Sequence, residues 1–118
     1  MKQFILASLL VLLTATAVAQ DDYYRRQAEK YGREAEYYQR KADSYRRDAT
    51  YYMNQADSYE RDASYSIRRG EYDKAANAQR NAANAADKAY TQLRYAKEAS
   101  DKAQMYLNWA ADAMRKQK

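Results

Sequence analysis

The chain has 118 residues, 14 of them Tyr, with no His, no Cys, no Pro and a net charge of +5. Without His or Cys it lacks the commonest general base, the thiol nucleophile, covalent staples and most transition-metal chemistry. Two Gly and no Pro leave little turn chemistry, which favours helix over a turn-rich all-β fold.

Residues 1–19 read as a removable targeting segment. Lys2 supplies the positive start, Phe4 to Leu13 is an apolar run, and Ala17 and Ala19 flank Val18 as a small-residue cleavage signal. A membrane anchor needs about 20 apolar residues, and this run is shorter and leads into polar sequence. The expectation is a secreted or periplasmic chain that begins near Gln20, with no transmembrane helix in its mature form. No Cys stands at the cleavage site to carry a lipid. Residues 20–118 are enough for one domain at most.

Residues 23–64 repeat a 14-residue unit three times: YYRRQAEKYGREAE, YYQRKADSYRRDAT, YYMNQADSYERDAS. The unit is two heptads long, so each residue keeps its place on one helical face. Tyr24, Tyr31, Tyr38, Tyr45, Tyr52 and Tyr59 form one column. Ala28, Ala35, Ala42, Ala49, Ala56 and Ala63 form a second, which makes a coiled-coil seam with Ala at a and Tyr at d. A first helix is predicted over about 22–68. Asp21 and Asp22 suit its start, and Arg68 suits its end, by opposing the helix macrodipole. On its outer face Arg26, Arg33, Arg40, Arg47, Arg61 and Arg68 share a heptad position. Acids four residues earlier, such as Glu29, Glu36, Asp43 and Asp57, predict i,i+4 pairs. Gly32 lies inside the repeat without interrupting its period.

The fourth repeat decays at Gly70, which stands where the seam calls for Ala. Gly after a basic last turn is a helix stop, and Glu71 and Asp73 suit a new helix start. A turn at about 69–71 and a second helix over about 71–116 follow. That helix carries Ala75, Ala82, Ala89, Ala96, Ala103 and Ala110 in one column. Ala86, Leu93, Leu107 and Met114 form a neighbouring column, interrupted by Gln79 and Ser100. Folding the chain back at the turn pairs Tyr59 with Ala82, Tyr52 with Ala89, Tyr45 with Ala96, Tyr38 with Ala103 and Tyr31 with Ala110. The other seam pairs Ala56 with Ala86, Ala49 with Leu93, Ala35 with Leu107 and Ala28 with Met114. Every pair is symmetric about the turn, and a large residue meets a small one in every pair except Ala56 with Ala86.

Apolar positions extend past these columns, as Ala78, Ala85, Ala99, Tyr106 and Ala113, and as Ala76, Ala83, Tyr90 and Ala111. A stripe wider than a two-stranded seam usually meets another helix, so a homo-oligomer is expected, most simply a dimeric four-helix bundle. Candidate interaction residues fall in two groups. Tyr23, Tyr37, Tyr51 and Tyr65 recur once per repeat beside the seam, either stacking on nearby guanidinium groups or forming an aromatic ladder for a glycan or extended polypeptide. Met105 and Trp109, with Tyr23 and Tyr24, are expected to form an apolar patch at the open end of the hairpin. The tail Arg115-Lys116-Gln117-Lys118 suits a helix C-terminus.

Charge is mixed rather than concentrated. Residues 21–68 hold ten Lys+Arg against ten Asp+Glu, and residues 72–118 hold nine against five. No nucleic-acid partner is expected. Carboxylates lie beside Arg or Lys on solvated faces, and no glycine-rich phosphate loop occurs, so neither an enzyme nor a cofactor is expected.

The stretch RGEYDKAANAQRNAANAADKA sets Gly70, Tyr72 and Ala75 in a G-x-Y-x-x-A pattern, and so resembles the turn and second helix of tetratricopeptide-like hairpins. It is similar as well to small exported helical-hairpin proteins of bacterial envelopes. The resemblance implies the turn. A repeat of about 34 residues is missing, so peptide binding does not carry over.

The expected fold is therefore all-α, a signal peptide followed by a long antiparallel two-helix coiled-coil hairpin. The expected role is a non-enzymatic exported structural or interaction protein of the cell envelope or extracellular space. A periplasmic holdase-type chaperone and a glycan- or membrane-surface-binding helical protein are the alternatives.

Overall fold

The computed structural model describes residues 2–117, with side chains from Gln20 onward. The protein is a two-helix hairpin, with α1 at Lys2–Arg68 and α2 at Tyr72–Arg115. The side chains of Ala17, Ala19 and the rest of the expected targeting segment lie outside the described residues. Because α1 begins at Lys2, Asp21 and Asp22 sit within it rather than capping its start. Asp22 instead pairs with Arg25 one turn on, at 2.9 Å.

The turn is built from hydrogen bonds that the sequence makes available. Glu71 N donates to Ser66 O at 2.8 Å and Gly70 N donates to Ile67 O at 3.0 Å, which together close α1 in a Schellman motif. That motif needs a left-handed residue, and Gly70 supplies it with φ 75°. Glu71 then opens α2, its carbonyl accepting from Ala75 N at 3.0 Å. Its carboxylate holds both sides of the turn, 3.3 Å from Arg69 Nε and 3.3 Å from Lys74 Nζ. Gly32 plays no comparable part, since it lies within α1 and a Cβ there would meet nothing within 4 Å.

The described residues divide into two compact units. The first, residues 38–101, contains the turn and the adjoining parts of both helices. Here the buried apolar residues are Ala42, Ala49, Ala56 and Ala63 on α1 and Ala75, Ala82, Ala85, Ala89, Ala96 and Ala99 on α2. In two helices joined by a tight turn, such residues can only be buried against the partner helix, so the seam is made of methyl groups. Tyr45, Tyr52 and Tyr59 are half-buried beside it. At the next position of their column Ser66 replaces Tyr and is buried, close to the turn where the helices converge.

The second unit gathers the described residues before Tyr38 and after Asp101. Its buried residues are Ala35, Ala103 and Ala113, with Tyr24 and Tyr31 half-buried in the same column as before. Among the described residues every buried apolar side chain is alanine, and no large side chain is fully buried.

One predicted column is corrected. Leu93, Leu107 and Met114, expected to fill the seam opposite Ala49, Ala35 and Ala28, are exposed, and Ala86 is half-buried. The buried second column of α2 is Ala85, Ala99 and Ala113, with Ala78, Gln92 and Tyr106 half-buried between them. The buried column stands three residues from the Ala75 column and the exposed one four, and the smaller of the two turns inward. Helices packed through methyl groups lie too close to admit leucine between them. Of the outer column, Ala76 is half-buried, whereas Ala83, Tyr90 and Ala111 face solvent.

This packing predicts a sharp contrast between two like substitutions on α2. Ala89→Leu, at a position with 0% exposure, is expected to destabilise by about 1–3 kcal/mol through overpacking. Ala83→Leu on the outer face is expected to change stability by less than about 0.5 kcal/mol. Urea unfolding followed by circular dichroism measures both, and equal effects would contradict an alanine seam.

Candidate functional site

The half-buried tyrosines reach outward from the seam rather than into it. In residues 38–101, Tyr45 packs on Tyr95 with ring centroids 5.5 Å apart, and Lys88 Nζ lies 5.7 Å from the Tyr52 ring centroid. In the other unit, Tyr31 meets Trp109 at 5.5 Å, and Lys116 Nζ stands 5.8 Å from the Tyr24 ring. These contacts keep the expected symmetry about the turn, displaced by a single residue. Tyr45 has Tyr95 rather than Ala96 as its ring partner, Tyr52 has Lys88 beside Ala89, and Tyr31 has Trp109 beside Ala110. A phenol cannot enter the methyl seam, so it lies along the flank and covers the residue next to each alanine. Lysine ammonium groups over ring faces add a cation–π attraction.

The second tyrosine series is exposed at all four positions, Tyr23, Tyr37, Tyr51 and Tyr65. Tyr51, Tyr65 and Tyr23 show their partners in detail. Tyr51 meets Tyr52 edge to face at 5.4 Å, and its hydroxyl accepts from Gln55 Nε2 at 2.9 Å. Tyr65 lies 5.3 Å from the Arg69 guanidinium, which also donates to its hydroxyl. The stacking arginine is thus four residues on, one full turn away. Tyr23 meets Tyr24 at 5.3 Å. The acid–base pairing shows a similar adjustment, since Asp43 binds Arg46 at 2.9 Å where Arg47 was expected. Both groups are exposed, so the pair adds little stability.

The second unit holds a cleft of about 350 Å³. Tyr23, Tyr24, Gln27 and Tyr31 of α1 line it, with Trp109, Asp112, Ala113 and Lys116 of α2. The expected grouping of Trp109 with Tyr23 and Tyr24 is therefore present. Met105 does not line the cleft and is exposed elsewhere on α2, whereas Tyr31, assigned to the seam from its spacing, does line it. Trp109 is held by two rings at steep angles, Tyr31 at 66° and Tyr106 at 5.3 Å and 85°, and remains 43% exposed. Tyr31 and Tyr106 stack at 6.2 Å. Asp112 is paired with Arg115, one turn along α2.

Among the described residues no three His, Cys, Asp or Glu side chains are grouped to hold a metal ion. Compared with known protein families, characterised proteins and solved structures, the chain matches none.

The tyrosine flank predicts a measurable coupling across the helices. A double-mutant cycle on Tyr45→Ala and Tyr95→Ala is expected to give an interaction of about 0.5–1.5 kcal/mol. Strict additivity in thermal unfolding would show that the two rings are neighbours without attraction.

Proposed function

We propose that this chain is a non-enzymatic structural or interaction protein, exported to the cell envelope or beyond, that associates with copies of itself. One observation carries the self-association. Leu93, Leu107 and Met114 recur at heptad spacing on one face of α2 and are 45%, 40% and 59% exposed, while every buried apolar residue among those described is alanine. A helical pair with so little apolar area in its seam gains by covering that column. The column's seven-residue period matches the period of this chain's own helices, so a second copy meets it in register along its length. An isologous dimer would give each copy the same contact and close the assembly. Met53 and Ile67 of α1 are exposed as well and extend the apolar surface available.

Export rests on the charged start at Lys2, the apolar run to Leu13 and the small residues Ala17 and Ala19. Among the described residues no helix is long and apolar enough to cross a membrane.

Sedimentation equilibrium of residues 20–118 tests the assembly. The dimer is expected for the native chain, and Leu93→Gln with Leu107→Gln is expected to weaken it at least about ten-fold in Kd while helicity is kept. A native chain that stays monomeric into the high micromolar range would refute the proposal. Export has its own measurement. The 118-residue precursor, expressed in a bacterium, is expected outside the cytoplasm with Gln20 at its N-terminus, and an unprocessed cytoplasmic chain would refute it.

A further inference from the structure

The cleft between residues 23–31 of α1 and 109–116 of α2 combines open aromatic surface with paired, balanced charge. Four of its eight lining residues are aromatic: Tyr23, Tyr24, Tyr31 and Trp109. Such rings could receive several ligand classes, and the polar residues narrow the choice. Lys116 already sits over the Tyr24 ring, so the cation site that a quaternary ammonium would take is filled by the protein's own ammonium. Asp112, bridged to Arg115 outside the cleft, sets a carboxylate against that ammonium within it. Lys116 and Asp112 together leave the cleft without a strong excess of either sign, which removes the attraction that a phosphate or a free cation would need.

What remains is an aromatic corner, the Trp109 indole set at 66° to the Tyr31 ring, rimmed by groups of complementary hydrogen-bonding character. The Gln27 amide both donates and accepts, the Asp112 carboxylate accepts, and the Lys116 ammonium donates. A pyranose ring has that same division: a patch of C–H bonds on one face and hydroxyls around its edge that each donate and accept. The volume of about 350 Å³ stands near the lower end of small-molecule sites, roughly 300–1,000 Å³. It admits one sugar ring, or one unit of a longer chain that continues past the open rim.

We infer that this cleft binds a neutral pyranose, with the ring's C–H face on Trp109, its edge against Tyr31 and its hydroxyls on Gln27, Asp112 and Lys116. The site stands apart from the Leu93 column and does not depend on self-association. The neighbouring rings divide the support between them. Tyr106 holds the indole from the side and contributes orientation, while Tyr24 keeps the Lys116 ammonium at the rim.

Trp109 is the sole tryptophan of the chain, so its fluorescence reports on the cleft directly. Titration of residues 20–118 with N-acetylglucosamine, glucose and cellotetraose is expected to give a saturable change for at least one sugar. Stronger binding of the tetraose than of glucose identifies a polymeric glycan as the source of the ring, and equal binding identifies a free sugar. Isothermal titration of Tyr31→Ala and of Lys116→Gln is expected to show binding weakened at least about ten-fold. Lys116→Gln lies on the exposed rim, so it keeps the test decisive if Tyr31→Ala unfolds the end of the hairpin. Leu93→Gln is expected to leave sugar binding unchanged whatever it does to assembly. No saturable response to any of the three sugars overturns the inference, as does binding that survives both cleft substitutions.

Discussion

A buried seam built of alanine methyl groups governs the packing of this molecule. Alanine columns let helix axes approach to the near end of the usual 8–10 Å range. They also bury little apolar area apiece, on the order of 25 cal/mol per Å² removed from water. Such a seam is stable by repetition rather than by any one anchor, which is why the heptad recurs so strictly. It also imposes an exclusion, for no phenol, leucine or methionine fits between the helices. Large side chains are displaced to the flanks, where Tyr45 finds Tyr95 and Tyr31 finds Trp109.

The turn obeys the same constraint. Two seam columns run toward it and each ends in its smallest member, the Ala column in Gly70 and the Tyr column in Ser66. Gly70 takes the left-handed backbone that closes α1, and the buried Ser66 spares the converging helices a phenol. Glu71 belongs to both helices at once, donating its N–H to close one and lending its carbonyl to open the other. With its carboxylate between Arg69 and Lys74, a short link serves as cap, stop and start together.

Most of this architecture is legible in the sequence because each element announces itself in more than one way. The Ala35 to Ala63 column is written by a strict period, and the hairpin by Gly70, the basic last turn and matched registers on both sides. The second column of α2 departs from its expected place for a physical reason. Positions three and four residues from Ala75 both lie beside it on the helix, so period alone cannot say which one turns inward. Apolar bulk points to Leu93 and Leu107, as it would in a coiled coil with leucine knobs. The deciding fact is a property of the pair: opposite alanines, only Ala85, Ala99 and Ala113 leave the helices close enough. The cleft shows the same limit. Trp109, Tyr23 and Tyr24 can be grouped by folding the chain back, but the spacing of Tyr31 marks it as a seam residue, and only the narrowness of the seam moves its ring into the cleft. Met105, one turn before Trp109, does not line the cleft.

That displacement gives α2 two chemically distinct flanks about one alanine column. Residues four after Ala89, Ala103 and Ala110, namely Leu93, Leu107 and Met114, turn to one side and are apolar and exposed. Residues one before each position of that heptad column turn to the other, and there Lys88, Tyr95 and Trp109, with Lys116 before Gln117, meet the tyrosines of α1. An aliphatic column has no hydrogen-bonding pattern and selects only for matching period and shape, which suits another helix of the same repeat. The aromatic flank carries ring faces, ammonium groups and a carboxylate, and selects by chemistry. Covering the first leaves the second open, because the seam stands between them. A hairpin with so thin a core can therefore assemble along one flank and still present the other to a ligand, and the separation follows from alanine at the centre.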